Sequence, residues 1–119
     1  MSEEQISLRP LNDVTVLITA PKVLDNSNAH QMLNAITGAQ AEGRKFLIID
    51  MSHLEFISSA GVGSILGTVE SSREIGGDIV LCNVSPNVLH VMQVLDLTEY
   101  LTIKISTQEA ALACGVGPK

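Results

Sequence analysis

The fold is decided by residues 46–69, which read FLIIDMSHLEFISSAGVGSILGTV. Residues 46–49 form a continuous apolar run of strand length, as is typical of a strand buried on both faces of a sheet. A loop over residues 51–59 follows. Apolar residues then recur at helical spacing, at Val62, Ile65, Leu66 and Val69. The stretch therefore predicts a buried strand, a loop and a helix that ends at the glycine pair Gly76-Gly77.

A hairpin and one helix are predicted before this unit. Residues 6–8 and 14–19 are short β-prone runs, and the residues between them favour a turn, notably Pro10, Asn12 and Asp13. Side chains that commonly cap helices follow at Asp25, Asn26 and Ser27. Until Gly43 provides a stop, apolar residues then recur at helical spacing, at Ala29, Met32, Leu33, Ile36 and Ala39.

Two more pairs of strand and helix are predicted after it. Residues 79–82 are an apolar strand, and Ser85-Pro86 combines an N-cap residue with a proline at the first helical position. That helix carries apolar residues on one side, at Val88, Leu89, Met92 and Leu95. Residues 101–105 form the last strand. The final helix opens with a capping box and ends at a glycine and a proline, through Ser106, Glu109, Ala110, Ala111, Leu112, Gly115 and Pro118.

The resulting order, β-β-α-β-α-β-α-β-α, is typical of the α/β class. It favours a mixed, mostly parallel sheet with right-handed crossovers and one antiparallel strand from the opening hairpin. A chain of 119 residues accommodates one core, and 45% hydrophobic residues are enough to fill it. We therefore predict a single domain over residues 1–119.

Composition argues against several classes of partner. Seven Lys and Arg against thirteen Asp and Glu give a formal net charge of −6, whereas nucleic-acid binders need cations to neutralise phosphates. Every apolar run is far shorter than the roughly 20 residues that cross a bilayer. The acidic, polar start also lacks the features of a secretory signal. We expect a cytoplasmic protein that binds neither nucleic acid nor membrane.

Residues that commonly hold metals are dispersed along the chain. Cys82 and Cys114 lie far apart and outside any Cys-x-x-Cys, and no His has metal-ligand spacing from either. Because free cysteines are often buried, we interpret both as reduced core residues. His30, His53 and His90 are equally scattered and are interpreted as surface or structural residues. No metal and no cofactor is predicted.

The leading candidate site is Ser58-Ser59, because functional groups in open parallel sheets gather beyond the carboxyl ends of strands. Enzymatic glycine and serine motifs do not fit there: Gly-x-Gly-x-x-Gly fails by one residue, and both Gly-x-Ser-x-Gly and a P-loop are absent. Two interpretations stay open. One serine caps the helix, or a serine is phosphorylated as a switch, since a helix N-terminus tolerates an anion that a bound partner must then accommodate.

Two segments carry a family resemblance. Residues 54–67, LEFISSAGVGSILG, and residues 75–86, IGGDIVLCNVSP, resemble the signature segments of STAS domains, specifically of the bacterial anti-sigma factor antagonists. With Leu24-Asp25 and residues 108–112, QEAAL, the resemblance covers nearly the whole chain. It implies the STAS fold, a mixed, mostly parallel sheet of four to five strands with four to five helices.

The resemblance also implies a function, that of a small adaptor without catalytic activity. Unphosphorylated, such an adaptor binds an anti-sigma factor that is also a serine kinase, and this frees the sigma factor. The kinase can phosphorylate the adaptor, and a PP2C-type phosphatase resets it. By position in the motif, Ser59 is the phosphoacceptor and Asp25 is the acidic residue near it that contacts the kinase. The implied partner-binding residues are Asp25, Ser58, Ser59, Ala60, Gly61 and Val62.

The chain departs from the family's pattern at two places. Ser58 stands where many members carry Asp, which resembles the Ser-Ser-Ala-Gly variants of the family and leaves Ser58 as an alternate acceptor. Residues 19–25, TAPKVLD, lack the usual Gly-Glu-Leu-Asp form.

Other functions remain open at this point. One is a STAS scaffold or adaptor of a stressosome-like signalling complex that does not act through a sigma factor. Another is a small-molecule or enzymatic use of the same loop, with Ser59 paired to His53 or His90 as a base. A homodimer through an exposed strand or an apolar helix face is also compatible with the sequence.

Overall fold

The computed structural model describes residues 6–116, which form a mixed β-sheet with helices on both faces. In chain order the elements are β1 (Ser7–Pro10), β2 (Thr15–Thr19), β3 (Val23–Leu24), α1 (Ala29–Ala41), β4 (Phe46–Asp50), β5 (Phe56–Ile57), α2 (Ser59–Glu74), β6 (Asp78–Cys82), α3 (Pro86–Val94), β7 (Thr102–Lys104) and α4 (Thr107–Ala113). The main sheet has the order β1-β2-β4-β6-β7, and β3 pairs with β5 in a small second sheet. The predicted fold class is confirmed.

Strand direction follows from the connections. The hairpin places β1 antiparallel to β2, with Ser7 opposite Thr19. Each later strand of the main sheet is reached through a helix, and β2, β4, β6 and β7 are parallel to one another. The apolar run of residues 46–49 lies in the centre as predicted, since β4 pairs with β2 on one side and β6 on the other.

Alternate residues of the strands point to opposite faces and build two cores. On one face, sheet side chains pack with α1, α2 and α3, and the sheet contributes Val16, Ile18, Leu47, Ile49, Ile79 and Leu81. On the other face a smaller cluster packs with α4, and the sheet contributes Leu17, Ile48, Val80 and Cys82. Each fully buried aliphatic side chain contributes roughly 1.5–3 kcal/mol. Three helices therefore cover the face of the sheet on which the serine pair lies, and one helix covers the opposite face.

Some element bounds differ from the predictions. Strand β1 continues through Pro10, which an edge strand tolerates because the missing N–H can face away from its neighbour. The N-cap of α1 is Asn28, not Asp25, Asn26 or Ser27. In α3 the apolar side is narrower than predicted, since Leu95 is the C-cap and is exposed. Pro118, predicted to help end α4, lies outside the described residues.

No local sequence pattern indicates the pair β3 and β5. Each has two residues, with Val23 opposite Phe56 and Leu24 opposite Ile57 in parallel. Strand β5 lies in the predicted loop of residues 51–59, and β3 lies in a stretch with no predicted element, because a two-residue strand shows no periodicity. This small sheet fastens the segment before α1 to the segment before α2.

Candidate functional site

The two serines at the start of α2 have different environments. Ser58 is the N-cap, with extended backbone at φ −95° and ψ 175°, and its Oγ accepts the N–H of Gly61 at 3.3 Å. Ser59 is the first helical residue and is exposed, whereas Ser58 is half-buried. The capping interpretation therefore applies to Ser58, and the exposed hydroxyl belongs to Ser59.

The start of α2 is held by the backbone of Leu24. The carbonyl oxygen of this fully buried residue accepts the N–H of Ser58 at 3.0 Å. The same oxygen lies so near Gly61 that a Cβ at position 61 would come within 2.5 Å of it. Gly61 is thus required by the close approach of two backbones.

The residues after the serine pair turn progressively toward the interior. Ala60 is half-buried, Gly61 is buried, and Val62 is 6% exposed within the main core. Of the residues that the resemblance assigns to partner binding, Ser59 is thus the one most open to solvent at the helix start. Gly61 and Val62 instead set how the helix seats on the fold.

Asp25 lies at the same end of the molecule, because it follows Leu24 directly. Its Oδ1 accepts the hydroxyl of Ser27 at 2.7 Å and the backbone N–H of Ser27 at 2.9 Å. These hydrogen bonds, the side-chain one first, lower the pKa of Asp25 below its ordinary value. The structure therefore brings an ionised carboxylate to the same end of the molecule as the serine pair.

A groove of about 380 Å³ separates the first turns of α1 and α2, and its lining residues are Asn26, Ala29, His30, Leu33, Ala60, Gly63 and Ser64. Neither helix has an acidic residue in its first turn. Helix α1 contains no Asp, Glu, Lys or Arg, and the first charged residue of α2 is Glu70. Ser59 therefore borders a surface of two helices that carries almost no formal charge.

Two glycines on this surface are not required by any contact within the fold. Gly63 and Gly67 are exposed within α2, and a Cβ at either position would meet no atom within 4 Å. A glycine inside a helix costs about 0.5–1 kcal/mol relative to alanine. Neither glycine completes a dinucleotide-binding motif, although their spacing of four residues places both on the exposed side of α2, in line with Ser59.

The cysteines and histidines considered in the sequence analysis are dispersed over the fold. Cys82 and Cys114 are free and buried as predicted, and burial raises the pKa of the Cys114 thiol to about 11. His53 and His90 are exposed, and His30 lines the groove. Across residues 6–116, no three His, Cys, Asp or Glu side chains gather as a metal site would require. No helix in this part of the chain has the length and apolar character to cross a bilayer.

Comparison with known proteins resolves the family. The model of the STAS domain family matches residues 5–110. This chain belongs to the STAS domain family. BtrV of Bordetella bronchiseptica, which is named as an anti-sigma factor antagonist, is 30% identical over 93 residues, 76% of this chain and 78% of BtrV.

Solved structures support the same family assignment. The phosphorylated form of SpoIIAA, a cell fate determinant of Bacillus, is 26% identical with a TM-score of 0.73, covering 92% of this chain and 97% of that one. An anti-sigma factor antagonist structure from Thermotoga maritima shares the fold, with a TM-score of 0.83 at 21% identity, over 92% of this chain and 94% of its own. Both structures thus share the fold of this chain over nine-tenths of its length.

Proposed function

We propose that this STAS-family protein is an anti-sigma factor antagonist whose binding to an anti-sigma factor is controlled by phosphorylation of Ser59. One observation carries the proposal. Ser58 already caps α2, so the neighbouring hydroxyl of Ser59 has no capping role and is exposed at the first position of the helix. The names of the relatives support the general role.

The unphosphorylated surface suits close packing against a protein. The groove between α1 and α2 is lined by small or uncharged side chains, and Gly63 and Gly67 leave room for a partner's backbone. Such a surface forms an interface without burying unpaired charges, which would be costly. We place the anti-sigma factor on this surface, with Ser59 at its edge.

Phosphorylation affects the binding of the partner more than the stability of this protein's own fold. A phosphate adds about −1.5 to −2 charges and three acceptor oxygens at pH 7. The N-terminal end of α2 favours an anion, so the helix tolerates the group. A partner packed on a neutral surface must instead desolvate the phosphate and make room for it. Binding is therefore lost while the fold is kept.

The circuit requires two further proteins. The anti-sigma factor of this proposal is a serine kinase of the ATPase-kinase type that modifies Ser59, and a PP2C-type phosphatase removes the phosphate. This protein contributes no catalysis of its own and acts in the cytoplasm. The ionised Asp25, at the same end as Ser59, is a contact for basic groups of the kinase.

Binding to the kinase tests the proposal. We expect Ser59→Asp to weaken binding by about tenfold or more, and Ser59→Ala to bind but resist switching. Asn87→Asp is the matched control, because it adds the same charge at an exposed position in the first turn of α3. Equal weakening by Asn87→Asp, or no weakening by Ser59→Asp, would contradict the placement of the switch. Recovery of a large multimer that contains no kinase would favour the scaffold function instead.

A further inference from the structure

Asn28 occupies the N-cap position of α1 but does not cap it. Its side chain makes no hydrogen bond to the first turn of its own helix. Instead Nδ2 donates to the carbonyl oxygen of Val23 at 2.7 Å, and Oδ1 accepts the backbone N–H of Asp25 at 2.9 Å. A side-chain cap would contribute about 1 kcal/mol to the stability of α1. The amide of Asn28 makes hydrogen bonds to the preceding loop in place of that cap.

The two hydrogen bonds of Asn28 enclose Leu24. Val23 and Asp25 are its neighbours in the chain, and Asn28 binds the carbonyl of the first and the N–H of the second. Asn28 is itself only 7% exposed, so these bonds are protected from water. The peptide groups on both sides of Leu24 are therefore fixed by one planar amide.

Leu24 in turn positions the start of α2. Its carbonyl oxygen accepts the N–H of Ser58 at 3.0 Å and contacts the backbone at Gly61. Ser59 lies between these two residues. A rotation of the Leu24 peptide would break the bond to Ser58 and change the direction in which the hydroxyl of Ser59 is presented.

We propose that Asn28 is a positioning residue for the phosphorylation of Ser59, an inference that rests on the function proposed above. This role needs a donor and an acceptor on separate atoms of one short side chain, which the amide of Asn supplies. Asp has no donor for the carbonyl of Val23 at neutral pH. Thr would suit the N-cap of α1 but cannot span both backbone groups.

Asn28→Asp and Asn28→Thr test the proposal, with Asn87→Asp as the control. Asn87 is exposed in the first turn of α3 and does not line the groove, so its variant adds the same charge without touching the bridge or the proposed interface. Amide hydrogen exchange by NMR reports whether Ser58 is still held. We expect exchange at Ser58 to rise about tenfold in both Asn28 variants, while the amide of Ile48 in the central strand stays protected. A general structural role would instead raise both exchange rates together.

Phosphate occupancy of Ser59 in the native cells gives the functional readout. We expect several-fold lower occupancy in both Asn28 variants than in the parent and in Asn87→Asp, at equal amounts of folded protein. Parent-like occupancy in either variant, or unchanged exchange at Ser58, would overturn the positioning role. If the parent itself carries no phosphate, the proposed function fails, and the exchange experiment still decides whether Asn28 holds the helix start.

Discussion

Helices α2 and α3 begin in almost the same way. Each opens with a serine N-cap in extended conformation whose Oγ accepts the backbone N–H three residues later, at 3.3 Å in both. They differ in the next residue, which is Ser59 in α2 and Pro86 in α3. Proline preorganises a helix start and offers no hydroxyl. Both starts have the cap that a helix needs, and of the two only α2 adds the exposed hydroxyl that the proposed phosphorylation switch requires.

The segments that lead into the two helices are also held differently. Before α2, the chain pairs with β3 and is bound by the Leu24 carbonyl. Before α3, Asn83 adopts a left-handed conformation with φ 57°, and its Nδ2 donates to Asp50 at 2.9 Å and to Thr107 at 3.0 Å. The start of α3 is thus tied to the strand ends and to α4. The start of α2 is tied to the loop that carries Asp25.

The largest effect is expected at the third helical position, which is Gly61 in α2 and Val88 in α3. Gly61→Ala places a Cβ within 2.5 Å of the Leu24 oxygen, whereas α3 accommodates a valine. We expect this variant to lower the free energy of unfolding by about 1–3 kcal/mol, as overpacking typically does. Urea unfolding measures the change. A parent-like midpoint would mean that the backbones can separate at no cost.

The two capping serines are expected to be equivalent in stability. Ser58→Ala and Ser85→Ala should each lower the free energy of unfolding by about 1 kcal/mol, because each removes one cap. Paired urea titrations check this. Ser58→Ala should also keep its phosphate on Ser59. If Ser58→Ala abolished phosphorylation while Ser85→Ala did not, the division of roles between Ser58 and Ser59 would be wrong.

A gain in stability is expected at Gly63. The space around it is open, so Gly63→Ala should raise the free energy of unfolding by about 0.5–1 kcal/mol through reduced chain entropy. The added methyl should at the same time weaken binding to the kinase. Thermal unfolding and a binding titration on the same sample check both parts. A variant that is more stable and binds as tightly as the parent would remove Gly63 from the proposed interface.

The smallest effect is expected when the start of α3 is made to resemble that of α2. Pro86→Ser creates a Ser-Ser pair there and should lower the free energy of unfolding by about 0.4–1 kcal/mol, since the unfolded chain gains freedom. We expect no phosphate on the new serine, because the groove against α1 and the Leu24 contact are absent there. Incubation with kinase and ATP, followed by mass spectrometry, measures this. Phosphorylation at position 86 would show that exposure at a helix start is sufficient.

The centre of the main sheet was predictable because its strands are apolar runs, as at residues 46–49, and α3 and α4 begin at the capping serines Ser85 and Ser106. The pair β3 and β5 was not, because its stability comes from pairing across more than thirty positions rather than from local pattern. The role of Asn28 was hidden for a similar reason, since its partners Val23 and Asp25 are backbone groups. The resemblance selected Ser59, but only the helix boundary distinguishes it physically from Ser58.

The most direct test is to locate the phosphate on protein isolated from its native cells. Fragmentation between Ser58 and Ser59 in tandem mass spectrometry separates the two positions, and Ser85 serves as an internal reference for a cap serine. We expect phosphate on Ser59, with Ser58 and Ser85 unmodified. Phosphate on Ser58 alone, or no phosphate on either residue under any growth condition, would contradict the account.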